Sequence, residues 1–510
     1  MLNRIINKFN KRKLKDKVIN QSDNFYNDDL IEFENLNQST RSIYDLENRD
    51  VLIILKDGKN ITSWRKINED KYDEIIFISE DLSNYSNLSQ KYFKESFKWI
   101  DYHEFPYNQF ENVKAMVIQN VSDKVTSLSR MFMDCRNLRT LSGLNSWDTS
   151  NVVDMGNMFF HCLELKTHNQ LKYLNTQFVK DMSFMFHSNY KLCNIDFMQD
   201  WNVSNVENMA SMLYRTNISN LDVMENFNTD NLKSIGSLCR ECKNLNSING
   251  LRNWNTKNLK DMSSVFGGCV NLENIDALKN WDVGNVETLM GLFANCKISS
   301  LIPLKDWNTE NVTHLGSLFS NCKNLKSLEG LENWNTSNVC YIRYIFNGCS
   351  NITDFSIFTK FDLSKVSEMT SVFSQCDGLV DLTTLKDLDV SNVKKMYLMF
   401  FGCRNLVSLN GVENWDVSNV EDLSHTFRSC FKLKDISALK DWDTGNVKEL
   451  FCTFDNNPSL TSVEALKDWN VENVESVHSL FGFCPNLVDV ECLENWNLSE
   501  SVNKDDMFNL

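Results

Sequence analysis

The chain has 510 residues, of which 42% are hydrophobic and 24% charged, enough apolar material for a continuous core and outside the disordered class. A formal net charge of -16 argues against a general nucleic-acid binder, whose phosphate contacts need a basic surface. The longest aliphatic runs, such as Val51 to Leu55, are too short to cross a bilayer, so no transmembrane segment is expected.

Residues 1–20 are a basic segment, with Arg4, Lys8, Lys11, Arg12, Lys13, Lys15 and Lys17 set against Asp16 alone. Leu2, Ile5, Ile6, Phe9 and Leu14 fall on one side of a helix, the arrangement of a peripheral membrane or acidic-partner contact, although a solvated tail is the plainer reading. Charges interrupt these apolar residues before a signal-type apolar stretch can form, which favours an intracellular location. Residues 21–49 are polar and acidic and read as a linker. Over 50–111 the pattern changes to two strands, 51–56 and 74–79, and a helix, 90–99: a small α/β domain or an N-terminal cap of the kind repeat arrays need. The segment 113–121 is expected to be the first strand of a stack.

Residues 112–500 are a repeat array, and 501–510 a C-terminal tail. Aligned on Trp147, the chain gives a ladder at 147, 174, 201, 227, 254, 281, 307, 334, 361, 388, 415, 442, 469 and 496, with every step 26 or 27 residues. Leu174, Phe227, Phe361 and Leu388 replace Trp, so the position demands a large buried side chain. Five residues after each of the first thirteen rungs stands Val or Leu, as in Val152, Val312 and Val420. From there Val152, Met155, Met158 and Phe159 are spaced as one face of a short helix. A triplet run follows, such as Cys403, Leu406, Leu409, Val412 and Trp415, whose centre reads as a short parallel strand. Gly143, Gly250, Gly330 and Gly411 mark the turn after that strand, and Asn151, Asn205, Asn285, Asn338, Asn392 and Asn419 a second turn in which Asn bonds nearby backbone. No unit buries its apolar face alone, so about fourteen rungs must stack into one α/β solenoid with short parallel strands and short helices.

These residues resemble the leucine-rich-repeat superfamily, and within it the BspA-like surface proteins with a mycoplasma-type repeat. Trp147 to Phe159 reads W-D-T-S-N-V-V-D-M-G-N-M-F, with Cys162 at the expected place. The resemblance implies a right-handed solenoid and a role in adhesion or interaction at the cell surface, against the intracellular reading above.

Eleven of the sixteen cysteines share one repeat position, from Cys135 to Cys484, and Asn189, Thr216 and Asn457 fill its missing rungs. Replacement by small polar residues points to packed thiols that donate weakly to backbone. Cys239 and Cys242 form a C-x-x-C, but Cys239 stands where other rungs have Phe266 or Phe293. The histidines His103, His161, His168, His187, His314, His425 and His478 form no catalytic or metal motif and read as surface residues. Asp50, Glu74, Glu80, Asp81, His103 and Glu104 are the acid-base groups an enzyme in the N-terminal quarter would use, but their spacing meets no catalytic pattern. The chain therefore reads as a non-enzymatic protein-binding repeat protein, with no cofactor, metal or catalytic residue assigned. The alternative is an intracellular scaffold. Its partner is expected on the strand face, where each rung exposes a variable pair: Asn246 and Ser247, Glu273 and Asn274, Lys326 and Ser327, Thr353 and Asp354, Val380 and Asp381, Lys434 and Asp435, Val488 and Asp489.

Overall fold

The computed structural model describes residues 125–166, 169–488 and 490–508, with the backbone of three strands before them. The chain divides into two units, Met1–Ser42 and Ile43–Leu510, and every described residue belongs to the second. The predicted basic segment 1–20, the linker 21–49 and the helix 90–99 lie outside the described residues.

Four parallel strands stand in chain order: β1 (Val51–Ile54), β2 (Glu74–Ile78), β3 (Ala115–Gln119) and β4 (Thr140–Ser142). Val51 pairs with Glu74, Glu74 with Ala115, and Ala115 with Thr140. The strands expected at 51–56, 74–79 and 113–121 are thus present in shortened form. β4 corresponds to Ser408 to Asn410, overlapping the end of the strand expected at Leu406 to Leu409.

Beyond β4 the array departs from the expected strand and helix. The segment read as a helix is a chain of β-turns. Met158, Phe160 and Cys162 donate their amides to Met155, Asn157 and Phe159 three residues back, at 3.2, 3.1 and 3.2 Å. The alternate amides of Asn157, Phe159 and His161 reach the next rung, to Ser183, Met185 and His187, at 2.8, 2.8 and 2.9 Å. An α-helix closes every amide internally at four residues and has no left-handed members, whereas Asn157 and His161 have φ of 59° and 60°. Both arrangements bring residues i and i+3 to one side, which is why the spacing of Val152, Met155 and Met158 suggested a helix.

The main parallel ladder lies where this turn chain begins, two residues after the Val position. Single bridges link Ser127 to Asp154, Asp154 to Asp181, Asp181 to Asn208 and onward, ending with Ser476 to Asn503. On the side where strands were expected, the described bridges beyond β4 are isolated, Asn220 to Ser247 and Ser408 to Asp435. The second residue of each exposed pair explains this. Asp435 Oδ1 accepts the Ser437 amide at 2.9 Å and Asp381 Oδ1 the Thr383 amide at 2.9 Å, which turns the chain into a 3-10 turn, Ser437–Leu439 or Thr383–Leu385. Gly330 and Gly411 close that turn at φ 107° and 113°, where a Cβ would stand 2.3 Å from the Leu301 or Leu382 carbonyl oxygen of the previous rung. Glycine is required there both for its backbone angle and for the close approach.

Inside, the repeated residues form columns. Phe266, Phe293, Phe319 and Phe346 stack with ring centroids 6.0, 6.1 and 6.0 Å apart, and all are fully buried. The tryptophans do more than fill space: the indole N–H of Trp281 donates to Leu251 O at 3.0 Å and that of Trp442 to Val412 O at 2.9 Å, each a rung back. Cys349 and Cys403 donate through Sγ to Phe319 O and Phe373 O at 3.0 and 3.1 Å, while Asn457 Nδ2 reaches Phe427 O at 2.9 Å in the same column. Burial pushes the Cys349 and Cys430 thiols up to about 12. The ladder Asn also works between rungs and not within its turn: Asn285 Nδ2 donates to Lys257 O at 2.7 Å and Asn419 Nδ2 to Ser391 O at 2.8 Å.

Candidate interaction surface

With the columns assigned to structure, the outward positions remain. On the 3-10-turn side each described pair leaves one residue that is not tied into the turn. Ser327 Oγ accepts the Glu329 amide, Asn274 Oδ1 the Asp276 amide and Asp354 Oδ1 the Ser356 amide, so the second member of each pair is a turn cap. Asp489 lies outside the described residues. Asn246, Glu273, Lys326, Thr353, Val380, Lys434 and Val488 remain exposed and differ in character from rung to rung.

The opposite side, along the turn chain, carries a cluster that the helix reading concealed. Phe160, His187 and Tyr214 occupy one repeat position on successive rungs, and the His187 ring lies 4.6 Å from Phe160 and 4.4 Å from Tyr214, nearly parallel to the latter. Phe184 and His161 approach the same imidazole at 5.6 and 5.8 Å, and the Arg215 guanidinium lies 5.1 Å from the Tyr214 ring. His161 Nδ1 is 3.1 Å from Asp134 Oδ1. Burial chiefly, then the neighbouring His161 and Arg215, draw His187 down to about 4, so it contributes a neutral ring at neutral pH. On the same and neighbouring rungs Val153, Phe178 and Phe184 are 42%, 48% and 36% exposed, and Phe178 stands where other rungs carry the ladder Asn. Large apolar side chains have thus replaced polar ones on the outside of neighbouring rungs.

The other histidines divide. His425 is buried against Tyr397 and Phe451, which overturns its reading as a surface residue, and burial draws it down to about 4 with Arg428 adding to the effect and Asp422 opposing it. His478 stacks on Phe451 at 5.2 Å, and His314 is exposed beside Tyr341. His103 and His168 lie outside the described residues. Cys239 and Cys242 are both buried, with Cys239 in the Phe column as expected. Among the described residues no group of three His, Cys, Asp or Glu is arranged to hold a metal ion, and no helix is long and apolar enough to cross a membrane.

The pattern of the family described as Mycoplasma protein of unknown function, DUF285, matches this chain four times, over residues 126–250, 233–355, 290–408 and 401–510. The chain belongs to the DUF285 family. Each match spans several rungs, and together they cover the turn-chain rungs described above. Similar solved structures include a leucine-rich repeat protein from Bacteroides ovatus, 14% identical, covering 79% of this chain and 85% of that one at a TM-score of 0.34. A leucine-rich cell surface protein from Faecalibacterium prausnitzii is also 14% identical, with 76% and 86% covered and a TM-score of 0.33. A leucine-rich repeat protein from Eubacterium ventriosum is 15% identical, with 88% and 90% covered and a TM-score of 0.29. No curated protein matches the sequence.

Proposed function

We propose that this DUF285 chain is a non-enzymatic protein-binding repeat protein, and that its partner docks on the aromatic and histidine cluster formed by Phe160, Phe184, His187, Tyr214 and Arg215. One observation carries the reading: the buried columns are interchangeable from rung to rung, while exposed large apolar residues gather on the rungs between Val153 and Arg215. Phe184 and Arg215 are exposed beside the half-buried rings of Phe160, His187 and Tyr214, and aromatic and arginine side chains clustered in this way dominate protein-protein binding energy. β1 to β3, which precede β4 in the sheet, serve as the array's N-terminal cap.

The test is affinity capture with the full chain from its own cells, with the captured protein identified by mass spectrometry and rebound in purified form. Phe184→Ser with Arg215→Ser should abolish that rebinding while leaving the thermal transition in place. Capture unchanged by that pair but lost on replacing Lys326 and Lys434 would move the site to the 3-10-turn side, the face expected from sequence. A second reading concerns location. The cysteine column is built from free buried thiols, which suits a reducing compartment and an intracellular scaffold. Protease treatment of intact cells decides it: survival of the full-length chain supports the scaffold, and loss supports a surface adhesin.

A further inference from the structure

The bridge ladder has one gap. Among the described residues, thirteen of the fourteen junctions from Ser127 to Asn503 carry a parallel bridge, and the junction between Tyr341 and Glu368 carries none. Elsewhere two backbone bonds flank each bridge. At the preceding junction Leu315 donates to Tyr341 O at 2.8 Å and Cys340 to Thr313 O at 3.0 Å; at the following one Met369 donates to Lys395 O and Lys394 to Ser367 O, both at 2.8 Å. The equivalent amides at the gap, those of Ile342 and Ser367, have no partner in the ladder. Further along the same turn chain the rungs rejoin, since Tyr344, Phe346 and Gly348 donate to Thr370, Val372 and Ser374.

Other repeat features lapse at the same place. Lys365 takes the ladder Asn position and donates to Asn338 Oδ1 at 2.7 Å, and Phe361 and Leu388 replace two successive tryptophans, so two indole bonds between rungs are missing. Elsewhere on this rung the chain is pinched. Gly378 stands where Asn351 and Asn405 stand in neighbouring rungs, and a Cβ there would lie 2.1 Å from Ile352 O. The two rungs are thus in close backbone approach at Gly378 and without ladder bonds between Cys340 and Ser367. The edge without those bonds is held by side chains: Glu368 pairs with Arg343 across the gap and with Lys395 at 3.6 Å on the far side, and Arg343 lies 5.3 Å from the Tyr341 ring. These charges are a quarter to a half exposed, so salt screens them far more than it weakens a backbone ladder.

We propose that this junction is a hinge built into the array, pinched at Gly378 and latched by Glu368, where the solenoid changes curvature when the latch is released. It divides the array into two stiff stacks, each with an unbroken ladder. The hinge lies outside the aromatic cluster proposed as the docking surface and does not depend on that assignment.

Hydrogen exchange of the full chain, read by mass spectrometry, tests it. The amides of Ile342 and Ser367 should exchange at least roughly tenfold faster than those of Leu315 and Lys394, their equivalents one rung away. Raising the salt concentration, or introducing Glu368→Gln, should widen that difference and change the maximum dimension seen by small-angle scattering. Equal protection at the four positions would overturn the hinge. Protection that differs but does not respond to salt or to Glu368→Gln would overturn the latch. The salt series on the unaltered chain keeps the test decisive if the variant fails to fold.

Discussion

The turn-chain side and the 3-10-turn side of the solenoid use the same repeat but divide their residues differently between structure and variation. On the 3-10-turn side each rung frees one residue, because its neighbour must cap the turn, as Asp435 does for Ser437. On the turn-chain side several outward positions are free at once, so Phe160, His187 and Tyr214 can stack into a surface cluster. A side with one variable residue per rung presents a thin line of chemistry. A side with several can assemble a patch, and among the described residues it is there that rings from successive rungs, such as Phe160, His187 and Tyr214, meet outside the core.

Breaking what both sides share should have the largest effect. Phe319→Ala removes a fully buried ring from the middle of the phenylalanine column and should destabilise the array by about 3–5 kcal/mol. Thermal unfolding should broaden or split as well, because stability in a stacked array is a sum over neighbouring rungs. A single sharp transition at the original temperature would contradict the column's role.

Trp281→Phe is milder and separates size from hydrogen bonding. The ring still fills the site, but Leu251 O loses the indole donor, for an expected loss of about 1 kcal/mol in chemical denaturation. No change would mean that the position demands bulk alone, as the substitutions at Phe227 and Leu388 suggested.

The two half-buried histidine clusters give a pH dependence. His187 and His425 titrate at about 4 when folded, below their ordinary 6.5, so the unfolded chain binds protons first. Their contribution to stability is complete above pH 6.5 and is lost as pH falls toward 4. The melting temperature should drop over that window, and the drop should shrink in a His187→Gln, His425→Gln double variant. An unaltered profile would place the acid sensitivity elsewhere.

Thiol labelling should leave stability untouched. Among the described residues Cys193 and Cys340 are exposed and should react readily with a thiol reagent in the native state, whereas the column thiols, such as Cys349 and Cys430, should not. Rapid native labelling of Cys349 would show that the column opens.

Much of the interior was legible in the sequence: the Trp, Val, Phe and Cys columns, the glycine turn at Gly330 and Gly411, and the exchange of Cys with Asn457 each carry a side-chain signature at fixed spacing. What was hidden depended on backbone geometry. A triplet of apolar residues fits a helix and a chain of turns alike, and the left-handed angles that separate them fall on residues as different as Asn157, Phe184 and Leu398. A helix over 152–159 does not bring Phe160, His187 and Tyr214 into one stack, although all three follow the phenylalanine position. The turn caps had left a trace, since the second residue of every pair is Ser, Asn or Asp.

The most direct test of the central claim, that the columns support the fold and the turn-chain cluster carries recognition, compares two variants of the full chain against one captured and purified partner. Phe184→Ser with Arg215→Ser should abolish binding at an unchanged melting temperature, while Lys326→Ser with Lys434→Ser should leave binding intact. Loss of binding in the second variant and its retention in the first would contradict the account.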